Sequence, residues 1–362
     1  MSIVVNGITT KNVVFNGKDV KKVCNETDKI IFTKTFGKVW KVSNSNWATA
    51  DASFGDCVFG NGFFLVPLGN ELYKSEDGVN WSLVLSAYVS KLSYANGYFF
   101  ATYGSSLYKS EDGVNWTKIT AYSCCNVIYA KGYWITGYSG CLMYSKDCNI
   151  WNTLTLSGMS KSARFNCANN IIFLCLESGS SFYLDDDFSA HRLIIDGSQT
   201  TNYVIDKILY KKGVFVGISS VWLSENYKPD IFYSEDGMNW TRCKMGLGTS
   251  SYTDLCFYNN CFLAMNFGQV YKSEDGMNWT LYFDGLAIDN IIYEKGVYVA
   301  GRYENEKKLL YSDDCENWIE SEIVKNSSYL GRLSRIVYGK DRFVCVPGGY
   351  GYGEINRILY SE

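Results

Sequence analysis

The phrase LYKSEDGVNW spans Leu72–Trp81 and returns letter for letter at Leu107–Trp116. Variants follow at Met143–Trp151 (MYSKDCNIW), Phe232–Trp240 (FYSEDGMNW), Val270–Trp279 (VYKSEDGMNW) and Leu310–Trp318 (LYSDDCENW). Trp81, Trp116 and Trp151 lie 35 residues apart (116 − 81 and 151 − 116), and Trp240, Trp279 and Trp318 lie 39 apart (279 − 240 and 318 − 279). A fixed period of tens of residues means one supersecondary unit copied along the chain, with copies that stack to bury a core none could bury alone.

The unit is legible in LSYANGYFFATYGSSLYKSEDGVNWTKI, Leu92–Ile119. Aromatic and β-branched runs bounded by Asn, Gly, Asp and Ser read as strands at Leu92–Ala95, Tyr98–Tyr103 and Leu107–Ser110, with a fourth from Trp116. Inner strand pairs of this kind begin at Cys57, Leu92, Val127, Asn166, Ile208, Leu255, Ile291 and Ile336, which makes eight four-stranded antiparallel units. The gap between Trp151 and Trp240 holds one worn copy, FYLDDDF at Phe182–Phe188, without its Trp. The last unit stops at Ile358–Glu362, before its fourth strand, while Asn46–Thr49 reads as a fourth strand with no unit before it. Pairing Ile358–Ser361 with Trp47–Ala50 would remove two open sheet edges. The expected fold is all-β: an eight-bladed β-propeller over residues 42–362, closed by an N-terminal strand, with a small β-hairpin module at residues 1–41.

The phrase resembles the Asp-box, or BNR repeat, of sialidase-like propellers, whose pattern is Ser-x-Asp-x-Gly-x-x-Trp; here Gly78 follows Asp77 directly. The resemblance covers most of Asp56–Glu362 and implies the propeller fold. An Asp opening a tight turn accepts bonds from the next backbone N–H groups, Gly supplies positive φ, and Trp packs back onto the blade. Asp77, Asp112, Asp147, Asp236, Asp275 and Asp314 therefore read as turn staples. Cys148 and Cys315 replace the Gly in two copies. Sialidases also carry an arginine triad, a Tyr–Glu nucleophile pair, an acid Asp and an Arg-Ile-Pro segment near the start. No Arg-Ile-Pro occurs here, and Arg164 is the first of eight arginines, the others being Arg192, Arg242, Arg302, Arg332, Arg335, Arg342 and Arg357.

With 362 residues, 47% of them hydrophobic, the chain buries a large core. A formal charge of −3 without a long basic run argues against nucleic acid or an anionic membrane as a partner. The opening lacks a signal peptide's basic and apolar regions, and no stretch approaches a membrane span, so synthesis in the cytoplasm and no membrane insertion are expected. The 13 Cys are scattered and odd in number, which fits reduced thiols used as small apolar fillers. No CxxC pair marks a zinc site, and neither a metal nor a cofactor is expected. The Asp185–Asp187 run invites calcium but reads as the worn turn. His191 is the only histidine, so no Ser/His/Asp arrangement can be composed around it.

Residues 2–41 carry their own echo, IVVNGITTKN, VVFNGKDVKKV and KIIFTKTF, with Asn-Gly turns between β-branched runs. This opening resembles the β-rich N-termini of phage tail-fibre, baseplate and phage-tail-like bacteriocin proteins. The resemblance implies a virion or tail-particle component that attaches to other particle proteins through residues 1–41, within an oligomeric assembly.

Repetition keeps the turn face of a propeller uniform, so recognition is expected in the irregular loops of the other face. Three are long: Ser219–Asp230, Arg302–Lys308 and Pro347–Asn356. Trp222 and Tyr227, Tyr303 and Glu304, and Tyr350, Tyr352, Glu354 and Arg357 compose an aromatic and charged rim suited to a glycan or a protein patch. The expected function is non-enzymatic binding of a host-surface glycan or partner protein. A purely structural virion appendage and a sialidase-like glycoside hydrolase are the alternatives.

Overall fold

The computed structural model describes residues 13–15, 18–20, 37–43, 57–156, 163–176, 180–199, 203–219, 230–243, 252–258, 260–266, 268–284, 288–302, 309–315, 317–324, 333–347 and 358–361. Every regular element among them is a β-strand. Blade 1 joins Val58–Gly60, Phe63–Leu68, Glu71–Ser75 and Ser82–Leu85 in chain order, each strand antiparallel to the next. Blades 2 to 7 repeat this order over residues 89–120, 128–155, 164–192, 207–242, 252–284 and 288–320, and blade 8 begins at residue 333. The innermost strands of successive blades neighbour one another around the circle, and that of blade 8 neighbours that of blade 1. The chain is an eight-bladed β-propeller.

Local chemistry accounts for the meander. The inner hairpins turn through Asn61-Gly62 and Asn96-Gly97 with positive φ at both residues, the primed turn whose twist suits right-twisted strands. Second strands are covered on both faces by neighbouring blades. They read as near-continuous apolar runs, and Phe63–Leu68 is buried throughout. Eight apolar clusters result, one at each junction between adjacent blades.

The ring is closed by Val39–Val42, which supplies the fourth strand of blade 8 and pairs antiparallel with Leu359–Ser361, Trp40 facing Ser361. This corrects the expectation that Trp47–Ala50 does so; Trp47–Ala50 lies outside the described residues. The reason is local. Trp40 has Gly37 three residues before it, as Trp81 has Gly78, whereas Trp47 has Asn44. Gly37 takes φ +71°, and the Trp40 indole donates to the Gly37 carbonyl at 2.8 Å. The eighth turn is thus split between chain ends: Ser361 comes from one, Gly37 and Trp40 from the other. The closing strand straddles the division expected after residue 41.

Two blades carry a fifth, parallel strand taken from the connection that leads into them. Glu322–Val324 runs beside Val39–Val42, and Ile194–Ile195 beside Asn239–Arg242. The register is the same in both: Glu322 N–H donates to Lys38 O at 2.8 Å and Ile194 N–H to Met238 O at 3.0 Å, each acceptor two residues before the Trp. These strands cover outer edges that would otherwise present unpaired backbone groups. Near the N-terminus, Val13–Phe15 pairs antiparallel with Lys18–Val20.

Trp40 is wholly buried among Val297, Val299, Leu309 and Phe343. Trp40→Ala is expected to cost about 3–5 kcal/mol of stability, the usual range for deleting a large buried aromatic. Urea denaturation followed by tryptophan fluorescence measures it, and a loss under ~1 kcal/mol would contradict closure by this strand.

Candidate functional site

Each repeated turn is a closed set of hydrogen bonds. The Ser75 hydroxyl accepts from Gly78 N–H at 2.8 Å and donates to Asp77 Oδ1 at 3.1 Å. Asp77 Oδ1 also accepts from the N–H groups of Val79 and Asn80, both at 2.8 Å, while Oδ2 accepts from the Asn80 side-chain amide at 2.8 Å. The same arrangement recurs around Asp112, Asp236 and Asp275. Asp314 accepts from the backbone and side chain of Asn317 at 2.7 Å. For Asp112 and Asp147 the backbone donors dominate and hold the carboxyl below its ordinary range. For Asp77, Asp236 and Asp275 partial burial works in the opposite sense, but the donors outweigh it, and Asp275 falls to about 2.

The turn also makes the joint between blades. A Cβ on Gly78 would meet Val344 at 2.7 Å, on Gly276 would meet Val216 at 2.6 Å, and on Gly37 would meet Val299 at 2.4 Å. Each of these valines belongs to the preceding blade. Cys148 and Cys315 take the same left-handed conformation, φ +59° and +64°, and are buried against blades 2 and 6. The Trp follows the same rule: Trp116 packs with Phe63 and Leu65 of blade 1, Trp240 with Phe173 of blade 4, Trp279 with Val216 of blade 5.

Blade 4 departs from the pattern. Tyr183 pairs with His191 as Lys74 pairs with Ser82, so Leu184 stands at the Ser position and Ala190 at the Trp position. Phe188, at φ +63°, fills part of the gap, stacking on Tyr144 and meeting Tyr133 edge-on. Asp185 replaces the usual staple: its Oδ1 accepts from Asp187 and Ser189 N–H, and its Oδ2 lies 2.8 Å from His191 Nε2. The bond to His191 leads the effects that lower the Asp185 carboxyl. Asp186 bonds Lys131 of blade 3 at 2.6 Å. Thus His191 and two of the three consecutive aspartates have partners within the fold. Among the described residues no group of three or more His, Cys, Asp or Glu side chains is placed to hold a metal ion.

Blade 3 departs at the facing position. Ile150 stands where the other five Asp turns have Asn, and it is 71% exposed. Asp147 Oδ1 keeps its bonds to the N–H groups of Asn149 and Ile150, both at 2.8 Å, but Oδ2 has no side-chain amide from its own turn. Lys109 of blade 2 donates to the Cys148 carbonyl at 2.7 Å, the acceptor that Trp116, Trp240, Trp279 and Trp318 use in their own turns, and the buried Trp151 indole nitrogen has no partner. On the face of blade 3 that a blade 4 Trp would cover, a cleft of about 400 Å³ opens, lined by Tyr133, Tyr144, Lys146, Asp147, Ile150 and Asn152. Nothing in the repeat pattern alone pointed to this cleft; its signals were the lost Trp of blade 4 and the Asn-to-Ile exchange of blade 3, read together.

The rim residues Trp222, Tyr227, Tyr303, Glu304, Tyr350, Tyr352, Glu354 and Arg357 lie outside the described residues, as does Arg332. The described arginines are dispersed. Arg164, on the inner strand of blade 4, pairs with the buried Asp206; Arg242, on an outer strand, pairs with Asp196 and Tyr203; Arg192 lies over Phe182 and Arg342 over Tyr360. Along the inner strands Lys207 pairs with the buried Asp254 of the next blade, and burial lowers its ammonium pKa. Twelve cysteines are described, all as free thiols, most of them buried.

No family model matches the chain, and no curated protein matches it in sequence. Solved structures match it by shape. The computationally designed Ika8 protein shares 12% identity at a TM-score of 0.61, over 89% of this chain and 99% of its own. A catalytically inactive virginiamycin B lyase from Staphylococcus aureus, crystallised with quinupristin, shares 9% identity at a TM-score of 0.53, over 89% and 98%. At such identities the likeness is one of fold.

Two outcomes follow from the turn chemistry. Asp112→Ala removes the acceptor of four bonds and is expected to cost about 1–2 kcal/mol in urea denaturation, as for a lost helix cap or buried hydrogen bond. Because the folded carboxyl of Asp275 lies near 2, below the ordinary value of about 3.9, its stabilisation is complete above about pH 4 and is lost as pH falls toward 2. The urea midpoint should therefore drop across that window, and drop less steeply in Asp275→Asn.

Proposed function

We propose that this chain is a non-catalytic binding component of a phage or phage-tail-like particle, attached through the residues that precede its closing strand and presenting the propeller to a host-surface glycan. The observation that carries this reading is that five of the six repeated carboxylates are clasped by backbone and Asn side-chain donors of their own turns, so the Asp-box-like phrase acts as scaffold. A carboxylate clasped by two backbone N–H groups and an amide is held ionised, which suits it poorly to deliver a reaction proton. Recognition then falls to the places where the repeat is broken, as in other proteins whose binding residues sit on irregular segments of a rigid frame. The N-terminal hairpin chemistry, with Val13–Phe15 paired to Lys18–Val20, is compatible with a small docking module and supports the particle assignment alongside the sequence resemblance.

The test has two arms. Purified particles from the native source, probed with a label on this chain, should carry it at the tail; its absence from particles would remove the particle assignment. Replacing Trp222 and Tyr352 together with Ala should weaken attachment to host cells or isolated wall glycan by at least about 2 kcal/mol while leaving the melting curve unchanged, since aromatic anchors dominate binding surfaces. Catalytic release of free sugar from such glycans, lost in Glu304→Gln, would overturn the non-enzymatic reading in favour of a glycoside hydrolase.

A further inference from the structure

The two departures from the repeat meet at one place. Blade 4 has Ala190 where the turn Trp belongs, with Phe188 packed on Tyr133 and Tyr144 of blade 3, and blade 3 has Ile150 where the turn Asn belongs, lining a cleft with the same two tyrosines. Elsewhere an indole of the following blade covers the face that Tyr133, Tyr144 and Asn152 present here, and an Asn amide occupies the second oxygen of the turn carboxylate. We propose that the blade 3–blade 4 cleft is a binding subsite for a neutral pyranose unit, deepening the glycan-binding reading on which it rests.

The chemistry selects the ligand. Asp147 lines the cleft; its Oδ1 is held by the N–H groups of Asn149 and Ile150, and it lacks the Asn side-chain clamp of its counterparts. An ionised carboxylate accepts only, so its partner must bring hydrogen-bond donors. Sugar hydroxyls are donors and acceptors at once; Asn152 and Lys146 at the same cleft supply the complementary donors. Tyr133, Tyr144 and the exposed Ile150 provide apolar surface for the C–H edges of a pyranose ring, the mixture of apolar walls and few polar groups that marks small-molecule sites. Lys146 and Asp147 line the cleft with opposite charges, so it presents no net charge of its own and suits a neutral sugar.

The experiment restores the repeat instead of damaging it. Ile150→Asn returns the amide to Asp147 Oδ2, and Ala190→Trp returns the indole to the junction; the first follows the pattern of five other turns in this chain and retains the fold. Saturation-transfer NMR with methyl α-glucopyranoside, methyl β-galactopyranoside, N-acetylglucosamine and N-acetylneuraminic acid reads the outcome. Wild-type protein should show transfer to at least one neutral pyranoside and less to N-acetylneuraminic acid. Ile150→Asn should weaken it about tenfold, corresponding to loss of one charge-assisted hydrogen bond, and Ala190→Trp should abolish it. The Trp222→Ala, Tyr352→Ala double variant, which removes the rim anchors, reports separately any sugar held at the rim. Sugar binding that survives both repeat-restoring changes but is lost in the double variant would remove this subsite and leave the proposed function standing. Failure of the wild type to bind any pyranoside would overturn the subsite, and failure to bind host glycan as well would overturn both.

Discussion

The clasp between each turn and the preceding blade is the interaction on which the ring depends. A blade is a small sheet with two apolar faces, and it has no core of its own. Its turn must fold tightly enough to press a left-handed Gly or Cys against the second strand of its neighbour, and an indole beside it. Ser75 and Asp77 make that possible by collecting the N–H groups that such a turn would otherwise strand. A buried donor left unpaired costs more than a typical bond contributes, so local polar chemistry and the apolar junction are coupled: the turn cannot open without uncovering the neighbour.

Closure follows from the same unit. Because every blade leans on the one before it, the first and last blades have meaning only together, and the split turn of Ser361 with Gly37 and Trp40 gives blade 8 the parts that the others have in one stretch of chain. The Ser361 hydroxyl accepts from Phe343 N–H at 3.0 Å, tying the final strand to its own blade. The parallel strands Glu322–Val324 and Ile194–Ile195 then cover two outer edges with a common register, which makes the edge protection a second, weaker repeat written into connections rather than blades.

Irregularity gains significance against this uniform frame. Large-to-small exchange at a packed junction leaves either collapse or space, and here Phe188 takes up part of the volume while Tyr133 and Tyr144 keep a cleft open beside Asp147. His191 and Asp185, which invite a catalytic reading when seen side by side, are bound to each other across the worn turn, and the His191 ring stacks on Tyr183. Their role is to replace a missing staple. The charged pairs Arg164–Asp206 and Lys207–Asp254 link inner strands of successive blades, so the scarce arginines are spent on the frame in several separate places.

Blade number, strand order, the turn staples at Asp77, Asp112, Asp147, Asp236, Asp275 and Asp314, and the worn copy at Phe182–Phe188 were all legible in the amino-acid sequence. Each rests on contacts between residues a few positions apart, where turn chemistry and period-two patterning act directly. Which N-terminal segment closes the ring was not: Trp47 and Trp40 both carry strand-like surroundings, and the choice depends on Gly37 meeting Val299, a residue more than two hundred positions away. The cleft was equally hidden. Ile150 and Ala190 are unremarkable in isolation, and only the tertiary structure gathers Tyr133, Tyr144, Asp147 and Ile150 around one cleft. Short-range hydrogen bonding determined the unit, and the stacking of units decided where it is interrupted.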